Sequence, residues 1–402
     1  MAVTGSITTR FIDEKGVDLG KTLIEKDYLI SVYPNLLNQF DTPMLMRWGR
    51  NGSGQLGDNT VVKKSSPVQT IAYGANWKSV FCGFTHTVAV KSDGTLWTWG
   101  SNATYGQLGD NTVAAKSSPV QTIAFGTNWK QVSAGYQSTA AIKTDGTLWL
   151  WGNNTYGNLG DNTTVRKSSP IQTIAGGTNW KQVACGYRHT AAIKADGTLW
   201  CWGYNAYGAL GNNTITNRSS PVQTVTGETN WKQVSGGQYH SAAIKNDGTL
   251  WCWGYNNAGQ LGDNTTAHKS SPVQTTAYGT NWKQVYSGAY HCTAIKTDGT
   301  LWAWGNNSGT LGDNTISNKS SPVQTIAFGT NWKQVSGGTY HTAAIKTDGT
   351  LWCWGWNDDG ELGDNTATNS YSSPVQTILY GQNWKSVACG YRHTAVIKDG
   401  DF

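Results

Sequence analysis

The 402-residue chain carries charge on only 13% of its residues, with a formal net charge of +6, alongside 49 glycines and 21 tryptophans. No stretch approaches the roughly 18 consecutive apolar residues of a membrane helix, and the N-terminal region lacks the basic stretch, apolar core and cleavage site of a secretion signal. We therefore expect no membrane insertion and no classical export, and we read the composition as many short strands joined by tight turns with large flat side chains between layers.

In chain order, residues 1–43 come first and match nothing that follows. Their segment TLIEKDYLISVY (Thr22 to Tyr33) is apolar enough to be ordered, and Pro34 and Pro43 punctuate what comes after. A segment this short buries little surface on itself. It reads as an anchoring or docking arm whose contacts would come from Leu23, Ile24, Tyr28, Leu29, Ile30 and Tyr33.

From Met44 a repeat runs to the end of the chain. The Trp of a Trp-Gly step recurs at Trp48, Trp99, Trp151, Trp202, Trp253, Trp304 and Trp354, at spacings of 51, 52, 51, 51, 51 and 50. Taking one unit, Pro170 to Ile174, Trp180 to Gly186, His189 to Lys194 and Thr198 to Gly203 alternate with period 2 and are rich in β-branched and aromatic residues, the marks of strands. Asp196 and Gly197 join the last two as a tight hairpin turn. The ends are complementary: MLMRWG (Met44 to Gly49) lacks a preceding strand, and HTAVIK (His393 to Lys398) supplies it. Four short strands per unit, seven units and ends that complete each other predict an all-β, seven-bladed β-propeller over residues 44–402, closed by N- and C-terminal strands in one blade.

The motifs GQLGDNT (Gly54 to Thr60, Gly106 to Thr112), SSPVQT and GYRHTAAIKADG (Gly186 to Gly197) resemble the regulator-of-chromosome-condensation repeat. The resemblance covers about residues 44–402 and implies the same propeller. Members of that family include a nucleotide-exchange factor for a nuclear GTPase, a plant ultraviolet-B photoreceptor and a bacterial inhibitor of β-lactamase, so the fold by itself brings no function. The exchange factor's distinctive insertion has no counterpart in these evenly sized units, and the photoreceptor's GWRHT reads GYRHT here, with Tyr187 and Tyr391 in the place of tryptophan. Neither activity is expected to transfer. Separately, the arm followed by near-identical repeats resembles bacteriophage structural proteins that carry this propeller.

The residues that could bear chemistry follow the repeat. Histidine recurs at His86, His189, His240, His291, His341 and His393, with Ser138 in the remaining copy, and is read as structural, bonding its own blade's backbone. Equivalent residues on different blades do not converge on the one small sphere that zinc requires. The LGDNT carboxylates, Asp58 to Asp364 with Asn212 in one copy, are read as turn chemistry; one Asp-Asn pair per unit offers too few oxygens for calcium. Cys201, Cys252 and Cys353 share one repeat position, Cys82, Cys185 and Cys389 another, and Cys292 stands alone, which suggests buried thiols rather than disulfides. The lysines after each Asn-Trp pair, from Lys78 to Lys385, spread evenly around a ring, without the concentrated basic face that nucleic acid requires. No catalytic triad, phosphate-cradling loop or isolated carboxylate pair stands outside the repeat, so no catalysis, cofactor or metal is expected.

What does vary is the loop after Trp-Gly: RNGSGQ, SNATYGQ, NNTYGN, YNAYGA, YNNAGQ, NNSGT and WNDDGE. Equivalent loops of a propeller emerge on one face, which would gather Tyr105, Tyr156, Tyr204, Tyr207, Tyr255 and Trp356 on a rim suited to sugars or a protein epitope. Unconstrained drift explains the same variation, and both readings stand open at this point. The expected function is a non-enzymatic virion protein, a capsid decoration or tail fibre made in the host cytoplasm. The arm would hold it to other virion proteins or to copies of itself, and the propeller would meet a host surface glycan or protein receptor. The alternative is a cytoplasmic regulatory propeller that binds a GTPase or another protein.

Overall fold

A computed structural model describes residues 6–12, 18–25, 43–70, 76–123, 126–174, 177–225, 227–276, 279–326, 329–368, 370–378 and 383–399. Within the repeat, the second and third strands of a blade are buried on both faces, as His189–Lys194 and Leu199–Gly203 are. In the blade we number 3, the inner strand Trp180–Cys185, the second His189–Lys194, the third Leu199–Gly203 and the outer Arg218–Gln223 pair antiparallel in that order. Seven such four-stranded sheets form the propeller. Blades 1 to 6 begin at Trp77, Trp129, Trp180, Trp231, Trp282 and Trp332.

The phase of the blade differs from the phase of the sequence unit. The strand read at Pro170 to Ile174 is Lys167–Gln172, and it pairs with Leu148–Gly152 of the preceding blade. Proline explains why this strand sits outermost: it has no amide to donate and is tolerated only at an edge.

Blade 7 closes the ring with two strands from each end. Trp384–Cys389 and His393–Lys398 supply its inner half, Met44–Gly49 and Lys64–Gln69 its outer half. The seam pairs without interruption from Met44 opposite Lys398 to Gly49 opposite His393. In the arm, Ser6–Ile12 and Asp18–Glu25 form an antiparallel pair, with Ile24 opposite Ile7 and Leu23 opposite Thr8. Tyr28, Leu29, Ile30 and Tyr33 lie outside the described residues.

The core is not central but divided into seven wedges, one between each pair of neighbouring blades. Trp180, Val183, Ala192 and Trp202 of blade 3 pack on Ala140, Ile142, Leu148 and Leu150 of blade 2. From the other face Ala191, Ile193, Leu199 and Cys201 meet Trp231, Val234, Ala243 and Trp253 of blade 4. Each large side chain so buried contributes about 1.5–3 kcal/mol, so a blade draws most of its stability from its neighbours. All seven cysteines are buried and unpaired.

A polar chain runs through the same interfaces. The buried indole Nε1 of each Trp-Gly tryptophan donates to a loop carbonyl of the previous blade, as Trp151 does to Gln107 at 2.9 Å and Trp354 to Thr310 at 2.8 Å. A hydroxyl from the second strand donates to that same carbonyl: Thr139 to Gln107 at 2.8 Å, Thr342 to Thr310 at 2.9 Å. The hydroxyl's single proton is thereby committed, so it accepts from the histidine of the previous blade, His86 Nε2 to Thr139 at 3.0 Å and His291 to Thr342 at 3.0 Å. The histidines are thus structural, but their rings bond the next blade's hydroxyl and not their own blade's backbone. Burial pulls His86, His189, His291 and His341 down to about 3 and keeps them neutral.

Three positions break the pattern: in blade 2 Ser138 stands in the histidine's place, and two more depart from it. Arg47 stands where other blades carry Cys, Thr, Leu or Ala; it is fully buried, its guanidinium 4.0 Å over the Trp99 ring, and Nη1 donates to the Gln55 carbonyl at 3.3 Å. Cys292 replaces the hydroxyl residue, and the His240 ring nitrogen meets a thiol at 3.1 Å instead.

Cys292→Thr is expected to restore the missing link and raise stability by about 0.5–1.5 kcal/mol, read as a higher urea midpoint; an unchanged or lower midpoint would show that this joint does not depend on the hydroxyl. A histidine held near 3 in the fold but titrating near 6.5 when unfolded makes the unfolded chain the better proton binder between those values. Stability is therefore lost as pH falls below about 6.5. His341→Ser, which reproduces Ser138 of blade 2, is expected to flatten the decline of the urea midpoint between about pH 6.5 and 4.5.

Candidate binding face

The inner strands leave the axis through a Gly-led turn before the second strand, and these turns are laced together by backbone bonds such as Tyr187 N–H to the Gly237 carbonyl at 3.0 Å and Ala289 N–H to Gly338 at 3.1 Å. Glycine is required here because an added Cβ at Gly83 would lie 2.3 Å from Cε1 of the His86 ring, and at Gly338 2.5 Å from that of His341. The two residues after the glycine in each blade carry one aromatic ring: Phe84, Tyr136, Tyr187 and Tyr391 directly after it, Tyr239, Tyr290 and Tyr340 one residue later.

Those seven rings form a continuous chain around the axial mouth. Tyr187 contacts Tyr239 at 5.8 Å and stacks on Tyr136 at 3.8 Å; Phe84 meets Tyr136 at 4.3 Å and stacks on Tyr391 at 3.8 Å; Tyr340 lies 6.1 Å from Tyr391 and 6.0 Å from Tyr290. In blades 4 to 6 the residue nearest the axis is Gln238, Ala289 or Thr339, so the mouth is aromatic over one half and recessed over the other. Burial raises the phenol pKa of Tyr187, Tyr239 and Tyr290, which holds them protonated as hydrogen-bonding groups.

Around this mouth stand the variable loops, and their backbone is fixed. A buried Asn opens each loop; Asn154 donates to Asp161 at 2.9 Å and to the Thr163 and Val165 carbonyls, and accepts from Leu159 N–H at 2.9 Å. Asp161 also accepts from Thr163 and pairs with Lys167 at 3.5 Å, so these carboxylates are consumed within their own loops. Among the described residues no group of three His, Cys, Asp or Glu side chains gathers into a metal site. The residue before that Asn is pinned by its own amide, as in Tyr204 N–H to Arg188 at 2.9 Å and Trp356 N–H to Tyr340 at 2.8 Å. Variation is thereby confined to side chains projecting from a constant frame.

The six loop aromatics divide. Tyr156, Tyr204, Tyr207 and Tyr255 share one patch: Tyr156 meets Tyr204 at 4.9 Å, Tyr207 meets Tyr255 at 5.0 Å, and Tyr239 joins them 5.4 Å from Tyr204. His268 is exposed but packs on Tyr255 at 4.9 Å. Arg188 donates to the Tyr156 hydroxyl at 2.9 Å and lies over the Tyr187 ring. Trp356 belongs to a second patch, stacked on Tyr340 at 4.7 Å beneath Arg392, whose guanidinium pairs with Asp359 at 3.3 Å. No ring contact among the described residues joins Tyr105 to either. Sequence reading missed the mouth rings, although a single aromatic between each Gly and the following His or Ser was their signal.

A family model for the RCC1-like domain matches residues 44–396. The chain belongs to this family. Among curated RCC1-like relatives, the ultraviolet-B receptor UVR8 of Arabidopsis thaliana is 34% identical over 264 residues, 64% of this chain and 60% of the receptor. The mitochondrial RCC1 domain-containing protein RUG3 of the same plant is 29% identical over 54% of this chain and 50% of its own length. The human ubiquitin ligase HERC2 is 30% identical over 62% of this chain, which spans only 5% of the ligase. Among solved structures, yeast Prp20p superposes with a TM-score of 0.81 at 20% identity, covering 90% of this chain and 92% of that one. Human WBSCR16 gives 0.80 at 22%, covering 90% and 100%. At these identities the structures speak to the RCC1-like fold alone.

One side chain of the second patch is charged where every other unit is neutral. Glu361, where the other units carry Gln55, Gln107, Asn158, Ala209, Gln260 and Thr310, is buried, with one carboxyl oxygen accepting Asp359 N–H at 2.9 Å and the other unpartnered. Burial raises it to about 7 from 4.5. The folded chain then holds a proton that the unfolded chain releases, so stability falls as pH rises through that window and stays lower above it. Glu361→Gln is expected to be more stable by about 2–3 kcal/mol at pH 8 and indistinguishable near pH 4.5 in urea unfolding.

Proposed function

We propose that this chain is a non-enzymatic regulatory module that binds a protein partner through the mouth face of its propeller. The observation that carries the reading is the ring of seven aromatic side chains, one from each blade, extended outward by Tyr204, Tyr207, Tyr255 and Trp356 and flanked by Arg188 and Arg392. Tyr, Trp and Arg are the residues that dominate binding energy at protein interfaces, because they bury large area at small entropic cost and keep a polar tip. A constant frame with variable tips is also what separates partner choice from folding. The RCC1-like relatives include a receptor and ubiquitin ligases, and the solved structure of Prp20p is described with its binding to Gsp1p and histones. They favour a regulatory role over a virion role, which draws no support from them. A GTPase or another regulatory protein is the class of partner to seek.

A photocrosslinking amino acid at Tyr207, compared with one at the exposed Ala195 in the hairpin turn at the opposite end of blade 3, tests the assignment in cell extract. A discrete adduct from Tyr207 alone is expected. The protein identified would then bind Tyr239→Ala and Arg392→Ala about 10- to 100-fold more weakly than the parent chain. Equal adducts from both positions, or unchanged affinities, would refute the mouth face as the binding site.

A further inference from the structure

The propeller has three rings of lysine, and two have structural work. Lys64, Lys116, Lys167, Lys269 and Lys319 pair with the LGDNT carboxylates at 3.4–3.9 Å. The lysines that end the second strands lie between two indoles, as Lys194 does at 5.0 Å from the Trp180 centroid and 4.6 Å from Trp200. The third ring runs from Lys78 to Lys385, one residue after each inner-strand tryptophan, and all seven members are exposed. Among the described residues only Lys385 has a carboxylate partner, Asp399 at 3.2 Å.

Topology makes this ring different from the other two. Inner strands are the ones that surround the axis; a cavity of about 200 Å³ is lined by residues from all seven of them, including Gln131, Gln182, Gln233, Gln284 and Gln334, each the next residue after a lysine of the ring. The lysines therefore stand around the end of the channel opposite the aromatic mouth. The even spread seen along the sequence becomes a closed annulus once the strands converge. The hairpin Asp of blades 1 to 6 lies farther out, between second and third strands, with its carboxylate hydrogen-bonded to a neighbouring Thr, as Asp196 takes Thr198 N–H at 2.9 Å and its hydroxyl at 2.7 Å, while Asp399 of blade 7 pairs with Lys385. The segments linking outer strand to next inner strand carry one charge, Glu228, and it pairs with Lys245.

We propose that this lysine annulus binds a phosphate-rich anion on the propeller axis, with one site per chain. Ammonium groups on flexible stems act as movable point charges and suit clustered phosphates approached from several sides. Facing one another around a ring, they repel until an anion of high charge density is seated among them. The site is separate from the mouth face and does not rest on the function proposed for it.

Calorimetric titration of the full chain with inositol hexakisphosphate tests the proposal, beside flotation with phosphatidylcholine vesicles with and without phosphatidylinositol 4,5-bisphosphate. We expect saturable binding of one hexakisphosphate per chain, weakening with added salt. The triple variant Lys130→Gln, Lys181→Gln, Lys232→Gln should lose about tenfold or more in affinity, while Lys116→Gln, Lys167→Gln, Lys319→Gln, altering paired lysines away from the axis, should not. Binding of the soluble compound alone would assign a free phosphate ligand, and lysine-dependent flotation alone a lipid headgroup. No binding of either probe, or equal losses in both triple variants, would overturn the annulus as a site.

Discussion

One loop carbonyl per blade, accepting an indole N–H and, in all but one blade, a hydroxyl from the next blade, is the contact on which this propeller depends. It brings together a loop, a second strand and a third strand from two blades, and it works only when the Trp-Gly tryptophan is fully buried between them. Because the hydroxyl's proton is spent on that carbonyl, the neighbouring imidazole must be protonated at Nε2, and burial keeps it neutral. Packing, tautomer and charge state are thus fixed by one local arrangement repeated around the ring.

That arrangement also explains why the functional surface is free to vary. The Asn and Asp of each loop, the amide of the residue between Gly and Asn, and the glycine beside the histidine are all held by the frame. What remains are side chains on the mouth face, where the units differ. The two propeller ends are unlike in chemistry: rings, recess and arginines at one, ammonium groups at the other. A chain with such ends can engage two partners without either contact touching the wedges that stabilise it.

Much of the fold is legible in the sequence because its determinants are local or periodic. Strand alternation, the Asp-Gly turns and the complementary ends need no knowledge of neighbours. The blade's phase was not legible, since Lys167–Gln172 could pair forward or back, and its proline would sit on a sheet edge in either case. Histidine's partner lies about fifty residues away in the next unit, beyond any local pattern. The site was legible in part: loop variation marked Tyr204 and Trp356, but the mouth rings were hidden because the aromatic shifts by one position between blades 3 and 4. Tyr105 has no ring contact among the described residues, since the position that Tyr204 fills beside Tyr156 is Asn153 in the blade next to Tyr105. Arg47 gave no signal of burial, because a cation in a strand position normally reads as outward-facing.

The seam in blade 7 has a consequence in time. Met44–Gly49 and Lys64–Gln69 are synthesised before every other strand of the propeller, yet the strands that complete their sheet are Trp384–Cys389 and His393–Lys398. At about 5–20 residues per second the ribosome needs tens of seconds to deliver them. Throughout that interval the early half-sheet presents an unpaired backbone edge and the unburied ring of Trp48, with Arg47 beside it. The nascent chain is most open to mispairing, or to a chaperone, at the place where the finished ring shows no edge at all.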